Sequence, residues 1–244
     1  MEPIYQQEFL INDAAVDCYG RLKPSMILFY GQEVAGKHFE LLAMDYNTLA
    51  QKNMFWAITR CRVQISRLPH SGETIRIETW PMPTTRVAYP RFVVAYDEQG
   101  QEVFRIISIW VLMDLKNRSM ILPGKSGIVV QGTLRGNELA VPGGIVPRDM
   151  ENHRSRTVRF TDLDRNGHMN NTRDMDWVND LLPSAFHKEH PFKEFVICYH
   201  TEAREDQTLD LHWGNPEESL IQVDATRKNK DGSENRIFSA RVLF

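Results

Sequence analysis

The chain has 244 residues, 29 Lys+Arg against 32 Asp+Glu for a formal net charge of −3, and 42% hydrophobic residues. This length allows one large domain or two of about 120 residues, each able to bury a core, and the composition is that of an ordered globular protein. The even charge balance excludes a general nucleic-acid binder, and no apolar run approaches the roughly 20 residues of a membrane helix. Cys18, Cys61 and Cys198 form no CxxC pair, so neither a disulfide framework nor a metal site is expected. Met1-Glu2-Pro3 lacks the basic-then-apolar pattern of a secretory leader, so a cytoplasmic protein with no stable membrane association is expected.

In chain order, Pro24-Ser25 precede an apolar segment from Met26 to Leu42. Ile27, Tyr30, Val34 and Phe39 mark one face and Leu28, Phe29, Ala35 and Leu41 fill others, the pattern of a buried helix. Ala57 to Ile65 and Ile75 to Thr79 alternate as strands, and Val93 to Trp110 form a hairpin turning at Asp97 to Glu102. Six of the fourteen glycines then fall between Gly124 and Gly144, flanked by Pro123, Pro142 and Pro147. Such a stretch reads as a connector, which sets the expected organisation: a half at 1–123, a connector at 124–147 and a half at 148–244. Gly124-Lys125-Ser126-Gly127 lacks the upstream glycine spacing of a phosphate-binding loop.

The second half repeats the order. A strand over Arg154 to Phe160 is followed by Asn170-Asn171, a natural cap, and a helix carrying Met175, Val178, Leu181 and Leu182 that ends before Pro183. His187 and His190, spaced HxxH without carboxylates beside them, read as surface loop. Strands are expected over Phe195 to Glu202 and around Leu209 and Leu211, then a hairpin from Val223 to Leu243 turning at Lys228 to Glu234. A helix followed by antiparallel strands, twice over, predicts an α+β protein. Its plan is a tandem (double) hot-dog, each half a long helix wrapped by a curved sheet.

The most unusual stretch is Phe160-Thr161-Asp162-Leu163-Asp164-Arg165-Asn166-Gly167-His168-Met169-Asn170-Asn171, a polar loop between a strand and a helix. Three readings meet here. Asp162, Asp164, Asn166 and Gly167 match the start of a calcium loop, but the closing glutamate of such a loop is replaced by Arg173. Asx residues also cluster at helix caps without further purpose. The third reading is catalytic. His168 precedes a helix N-terminus, where the dipole favours a neutral ring able to exchange a proton; Asn166 offers an amide to a reacting oxygen, and Asp164 could orient either.

The string Asp162-Leu163-Asp164-Arg165-Asn166-Gly167-His168-Met169-Asn170-Asn171, followed by Trp177, resembles the signature of the acyl–acyl-carrier-protein thioesterases of bacteria and plant plastids. Matches in the family's order include Trp56, Arg67-Leu68-Pro69, Gly72-Glu73, Thr79-Trp80, Arg91 and Trp110. Tyr199-His200-Thr201-Glu202-Ala203 is similar to the family's second catalytic strand. The resemblance implies a tandem hot-dog, no cofactor, and Asp164, Asn166, His168 and Glu202 as the catalytic set. Many plant members carry cysteine directly after the glutamate. Ala203 stands there instead, and the three cysteines read as core residues.

The implied reaction is hydrolysis of a fatty acyl thioester, with Glu202 and His168 activating water, Asn166 and backbone N–H groups holding the oxyanion, and Asp164 keeping the loop in register. An anhydride through Glu202 stays open as a variant. The apolar first half would line the acyl pocket. The acidic acyl carrier protein would need basic residues to dock on, and Arg148, Arg154, Arg156 and Arg159 form the densest run, with Arg154 and Arg156 on one face. A hot-dog enzyme acting on acyl-coenzyme A, as thioesterase or dehydratase, and a non-catalytic acyl-binding protein are the alternatives. Monomer and homodimer are equally open.

Overall fold

The computed structural model describes residues 4–244; the leader reading on Met1-Glu2-Pro3 lies outside the described residues. The chain divides into two compact units, the first ending at Pro142 and the second running from Gly143 to Phe244, so the division falls inside the glycine-rich stretch.

The first unit contains β1 (Tyr5–Leu10), α1 (Pro24–Leu41), α2 (Tyr46–Ala50), β2 (Met54–Ile65), β3 (Thr74–Pro81), β4 (Tyr89–Tyr96), β5 (Glu102–Asp114), the short β6 (Met120–Ile121) and a single turn, α3 (Pro123–Ser126). Its strands pair antiparallel in the order β1-β3-β4-β5-β2, with β6 also on β5. Strand β1 has no counterpart among the expected elements. Its alternation of half-buried and exposed residues marks an edge, with Tyr5 to Leu10 in register with Thr79 to Thr74.

Pro24 opens α1, where its missing N–H is one of the unpaired donors of a first turn anyway. Ile27, Leu28, Tyr30, Gly31, Val34, Ala35, His38 and Phe39 are buried, while Phe29 and Leu41 are exposed. The helix is therefore not buried all round as its composition suggests. It lies on one face of a sheet and keeps one flank in water. The sheet's other face holds a second apolar layer built on Trp80, Phe92, Val94, Ile107, Ile109 and Val111, with Leu139 packed against it. Strands buried on both faces read as near-continuous apolar runs, which explains Ile106 to Leu112.

The connector belongs to this second layer. Thr133 N–H donates to Pro81 C=O at 2.8 Å, and Trp80 Nε1 donates to Glu138 at 3.2 Å. Gly132 lies so close to Met82 and Pro83 that a Cβ would sit 2.2 Å from their backbone, a direct reason for glycine here.

The second unit contains β7 (Asn152–Thr157), α4 (Arg173–Asn179), α5 (Ser184–Glu189), β8 (Glu194–Tyr199), β9 (Thr208–Glu217), β10 (Leu220–Lys228) and β11 (Glu234–Leu243). Its strands pair antiparallel in the order β8-β11-β10-β9-β7. Both expected hairpins are present, as β4–β5 and β10–β11, each closed by a glycine at positive φ, Gly100 and Gly232.

The helical layer of the second unit departs from expectation. Instead of one long helix it has α4, of seven residues, and α5, of six. Pro183 separates them because it cannot continue a helix. His187 and His190 lie on and just after α5 rather than in a loop, and both stack among Phe186, Phe192 and Phe244. The strand over Arg154 to Phe160 ends at Thr157, and Phe160 opens a 3-10 turn. Cys61 and Cys198 are core residues, but Cys18 is exposed in the polar turn between Asp17 and Gly20. Among the described residues, no helix is long and apolar enough to cross a membrane.

Candidate active site

The loop between the 3-10 turn and α4 is built by one carboxylate. Asp164 Oδ1 accepts the backbone N–H groups of Asn166 at 2.7 Å and His168 at 3.1 Å, and Oδ2 accepts the Asn166 amide at 3.3 Å. Aspartate folds the chain onto its own side chain in this way at tight turns. Two backbone bonds close the turn, Asp164 N–H to His168 C=O at 2.7 Å and Gly167 N–H to Asp164 C=O at 3.0 Å. Gly167 has φ of 75°, a left-handed conformation that glycine adopts without strain.

The loop is then stitched to a segment 34 positions further along the chain. Met169 N–H donates to Ala203 C=O at 2.8 Å, and His168 bridges Arg204. As a result His168 Nε2 lies 3.2 Å from Glu202 Oε2. The two differ in exposure: the His168 side chain is 8% exposed and that of Glu202 45%. Nε2 has no well-aligned hydrogen bond, so the contact is one of proximity rather than a linear bond.

Glu202 is not on a strand. β8 stops at Tyr199 because the N–H groups of His200 and Thr201 both converge on Ile237 C=O, at 2.8 and 3.2 Å, which turns the chain off the ladder.

Beneath the loop lies a buried acidic foundation. Asp162 accepts from Arg159 N–H at 2.9 Å and from the Trp177 indole at 3.3 Å, and its carbonyl accepts Asn170 N–H at 2.9 Å. Its carboxylate is thus turned to backbone and indole rather than toward Asp164 and Asn166, as a calcium loop would need. Asp174, in the first turn of α4, is buried; burial above all, and then the charge of Asp162, push its carboxyl well above the usual carboxylate range. The expected asparagine cap is not formed: the residue before α4 is Thr172, with no side-chain cap bond, and Asn170 Oδ1 instead accepts from the N–H and the hydroxyl of Thr172 at 3.0 Å.

The run of arginines is already engaged within its own unit. Arg154 donates to Asp180 C=O at 2.9 Å and lies over the Trp213 ring, and Arg156 pairs with Asp180 at 2.6 Å while covering Trp177. Arg159, 67% exposed, pairs with Asp206 at 3.1 Å, and Arg148 is exposed in the segment before β7. Arg165, three residues before His168, and Arg204, two after Glu202 and bridged to His168, carry further positive charge there and were not singled out by sequence. Nor was Asp174: an aspartate in a first helical turn reads as favourable to the dipole, and nothing local betrays its burial. Cys198, buried with its Sγ 3.9 Å from Gly143 C=O, does not join the pair.

Comparison with known proteins agrees along nearly the whole chain. The acyl-ACP thioesterase N-terminal domain matches residues 2–122, and the acyl-ACP thioesterase C-terminal domain matches residues 147–241. A palmitoyl-acyl carrier protein thioesterase, chloroplastic, of Gossypium hirsutum is 23% identical over 221 residues, covering 84% of this chain and 54% of that protein. The chain thus spans about half the length of the curated relatives it matches. Among solved structures, an acyl-ACP thioesterase from Bacteroides thetaiotaomicron superposes with a TM-score of 0.88 at 21% identity, over 99% of this chain and 98% of that one. The 12:0-ACP thioesterase from Umbellularia californica gives 0.82 at 20% identity, over 100% and 97%. At these identities the likeness establishes the fold, a tandem hot-dog.

Proposed function

Because the chain belongs to the acyl-ACP thioesterase family, we propose that it hydrolyses acyl–acyl carrier protein to free fatty acid and carrier protein. The observation that carries this reading is the 3.2 Å approach of His168 Nε2 to Glu202 Oε2, a buried ring against a half-exposed carboxylate. Glu202, oriented by His168, takes a proton from water as its oxygen attacks the thioester carbonyl. The collapse of the tetrahedral intermediate breaks the carbon–sulfur bond, and the proton returns to the leaving thiolate. Asn166 has two amide hydrogens, of which the Asp164 contact uses one. The other, with backbone N–H groups of the loop, supports the oxyanion. Asp164 acts through the loop backbone, holding Asn166 and His168 in place.

The acyl chain occupies the helix–sheet layer of the first unit, residues 1–123, while 148–244 carries the chemistry. An acidic carrier protein docks on the arginines before the loop; since Arg156 and Arg159 already hold Asp180 and Asp206, docking adds to or exchanges these pairs. A cytoplasmic location belongs to the same reading, and cell fractionation tests it. Purified protein incubated with matched acyl-carrier-protein and acyl-coenzyme A panels tests the activity through free acid and free thiol. Release from carrier-protein thioesters in preference to coenzyme A is expected; release from neither, or equally from both, contradicts the assignment.

A further inference from the structure

Asn166 is followed by Gly167, and this is the single Asn-Gly step in the sequence; every other asparagine precedes a residue with a side chain. The glycine answers to conformation rather than to space. A Cβ at Gly167 would meet nothing within 4 Å, but its φ of 75° is a conformation that strains other residues. The turn that carries Asn166 and His168 therefore sets an unhindered backbone nitrogen directly after the asparagine side chain. Both residues of the step are exposed.

The side-chain carbon of an asparagine and the next backbone nitrogen are the two ends of a succinimide ring. Closing it requires the nitrogen to lose its proton and to approach Cγ, which a Cβ on the following residue obstructs and glycine permits. Here two contacts oppose closure, and both belong to Asp164. The Gly167 N–H donates to Asp164 C=O at 3.0 Å, and the Asn166 amide donates to Asp164 Oδ2 at 3.3 Å, beyond the usual range for such a bond. Opening of this one turn frees both reacting groups at once.

We propose that Asn166 is a self-modification site: its side chain cyclises onto Gly167, is lost as ammonia, and is replaced by a carboxylate that silences the active site. Hydroxide takes the Gly167 amide proton, and the nitrogen attacks Asn166 Cγ. A nitrogen–carbon bond forms, the bond from Cγ to the side-chain NH₂ breaks, and that group leaves as ammonia with a proton from water. Water then opens the succinimide at one of its two carbonyls, giving aspartate or its β-linked isomer. The sum is amide plus water to acid plus ammonia, with nothing oxidised or reduced.

Either product damages the loop. The new carboxylate faces Asp164 Oδ2 where an amide donated before, so attraction becomes repulsion. The β-linked product also lengthens the main chain between the Asn166 and His168 N–H groups, which Asp164 Oδ1 holds together. The consequence for turnover rests on the thioesterase reading, in which the Asn166 amide supports the oxyanion; losing that donor to a like charge should cost about 10²-fold or more.

The test incubates the whole protein at neutral and at alkaline pH, with peptide mapping for intact, aspartyl and β-linked residue 166, and with hydrolysis of acyl carrier proteins followed in parallel. Conversion at Asn166 is expected to outpace that at every other asparagine and to quicken with pH, and residual turnover should equal the unconverted fraction. Asp231-Gly232, exposed in the β10–β11 turn, can isomerise through the same ring and serves as the internal comparison. Asp164→Ala, which removes the carboxylate that holds the loop, should speed conversion at Asn166 about tenfold or more, and Gly167→Ala should slow it, both read by mapping alone. Asn166 converting no faster than the other asparagines, or turnover that follows Asp231 or stays whole as Asn166 converts, overturns the proposal. No hydrolysis by the fresh protein sinks the thioesterase reading instead, while the map still decides the modification.

Discussion

The two units follow one plan and put it to opposite uses. The first lays an 18-residue helix on its sheet and keeps its apolar layer broad, with a cavity and a buried guanidinium inside it. The second has seven helical residues in the corresponding place, and the polar loop before them holds Asp164, Asn166 and His168. A long helix seals a layer against water, whereas a short one leaves its N-terminal approach open to a loop that can meet Glu202. The difference teaches that duplication separates two demands. A wide apolar layer and a solvent-reached proton-transfer pair are hard to build into one small core, because burying a charge in the first is costly.

The comparison breaks most directly if chemistry does not follow the second unit. His168→Ala and Glu202→Ala are each expected to lower turnover by about 10²–10⁴-fold, with an unchanged melting temperature for the half-exposed Glu202 and a lowered one for the buried His168, whose removal empties packed space. Steady-state rates with thermal melts check this.

The next effect sharpens the role of the first unit. A Cβ on Gly31 would lie 2.7 Å from Ile106 Cδ1, so Gly31→Ala fills the helix–sheet cavity. Gly31→Ala should shift preference toward shorter acyl chains by roughly tenfold in relative kcat/KM, the worth of about one methylene. A chain-length profile unaltered by the substitution would remove this layer as the acyl site.

A stability effect follows, confined to the foundation of the loop. The folded-state pKa of Asp174 is raised, so the folded protein holds a proton that the unfolded chain releases, and stability falls as pH rises from the ordinary carboxylate range through the raised value. Asp174→Asn should remove that slope and raise the melting temperature at pH 8 by a few degrees, at about 2–4 °C per kcal/mol for a chain of this size. Melts from pH 4 to 9 decide it. The smallest effect concerns docking: replacing Arg156 and Arg159 together by alanine should raise KM for acyl carrier protein a few-fold at low salt and almost not at all at high salt.

Much of this was legible in residues whose information is local. The hairpin turns at Gly100 and Gly232, the helix opened by Pro24 and the Asp164 turn all depend on neighbours within a few positions, and each is where the sequence puts it. What was not legible depends on contacts distant in sequence. β8 ends before Glu202 because of Ile237, Arg154 and Arg156 are drawn to Asp180, and Asp174 is buried beside Asp162.

The central claim, thioester hydrolysis by the Glu202–His168 pair, is tested most directly by free-thiol release from acyl–acyl carrier protein, comparing the native chain with Glu202→Gln. The account predicts steady release by the native protein and a loss of at least about 10²-fold in a variant that melts as the native chain does. Undiminished release by Glu202→Gln would contradict it.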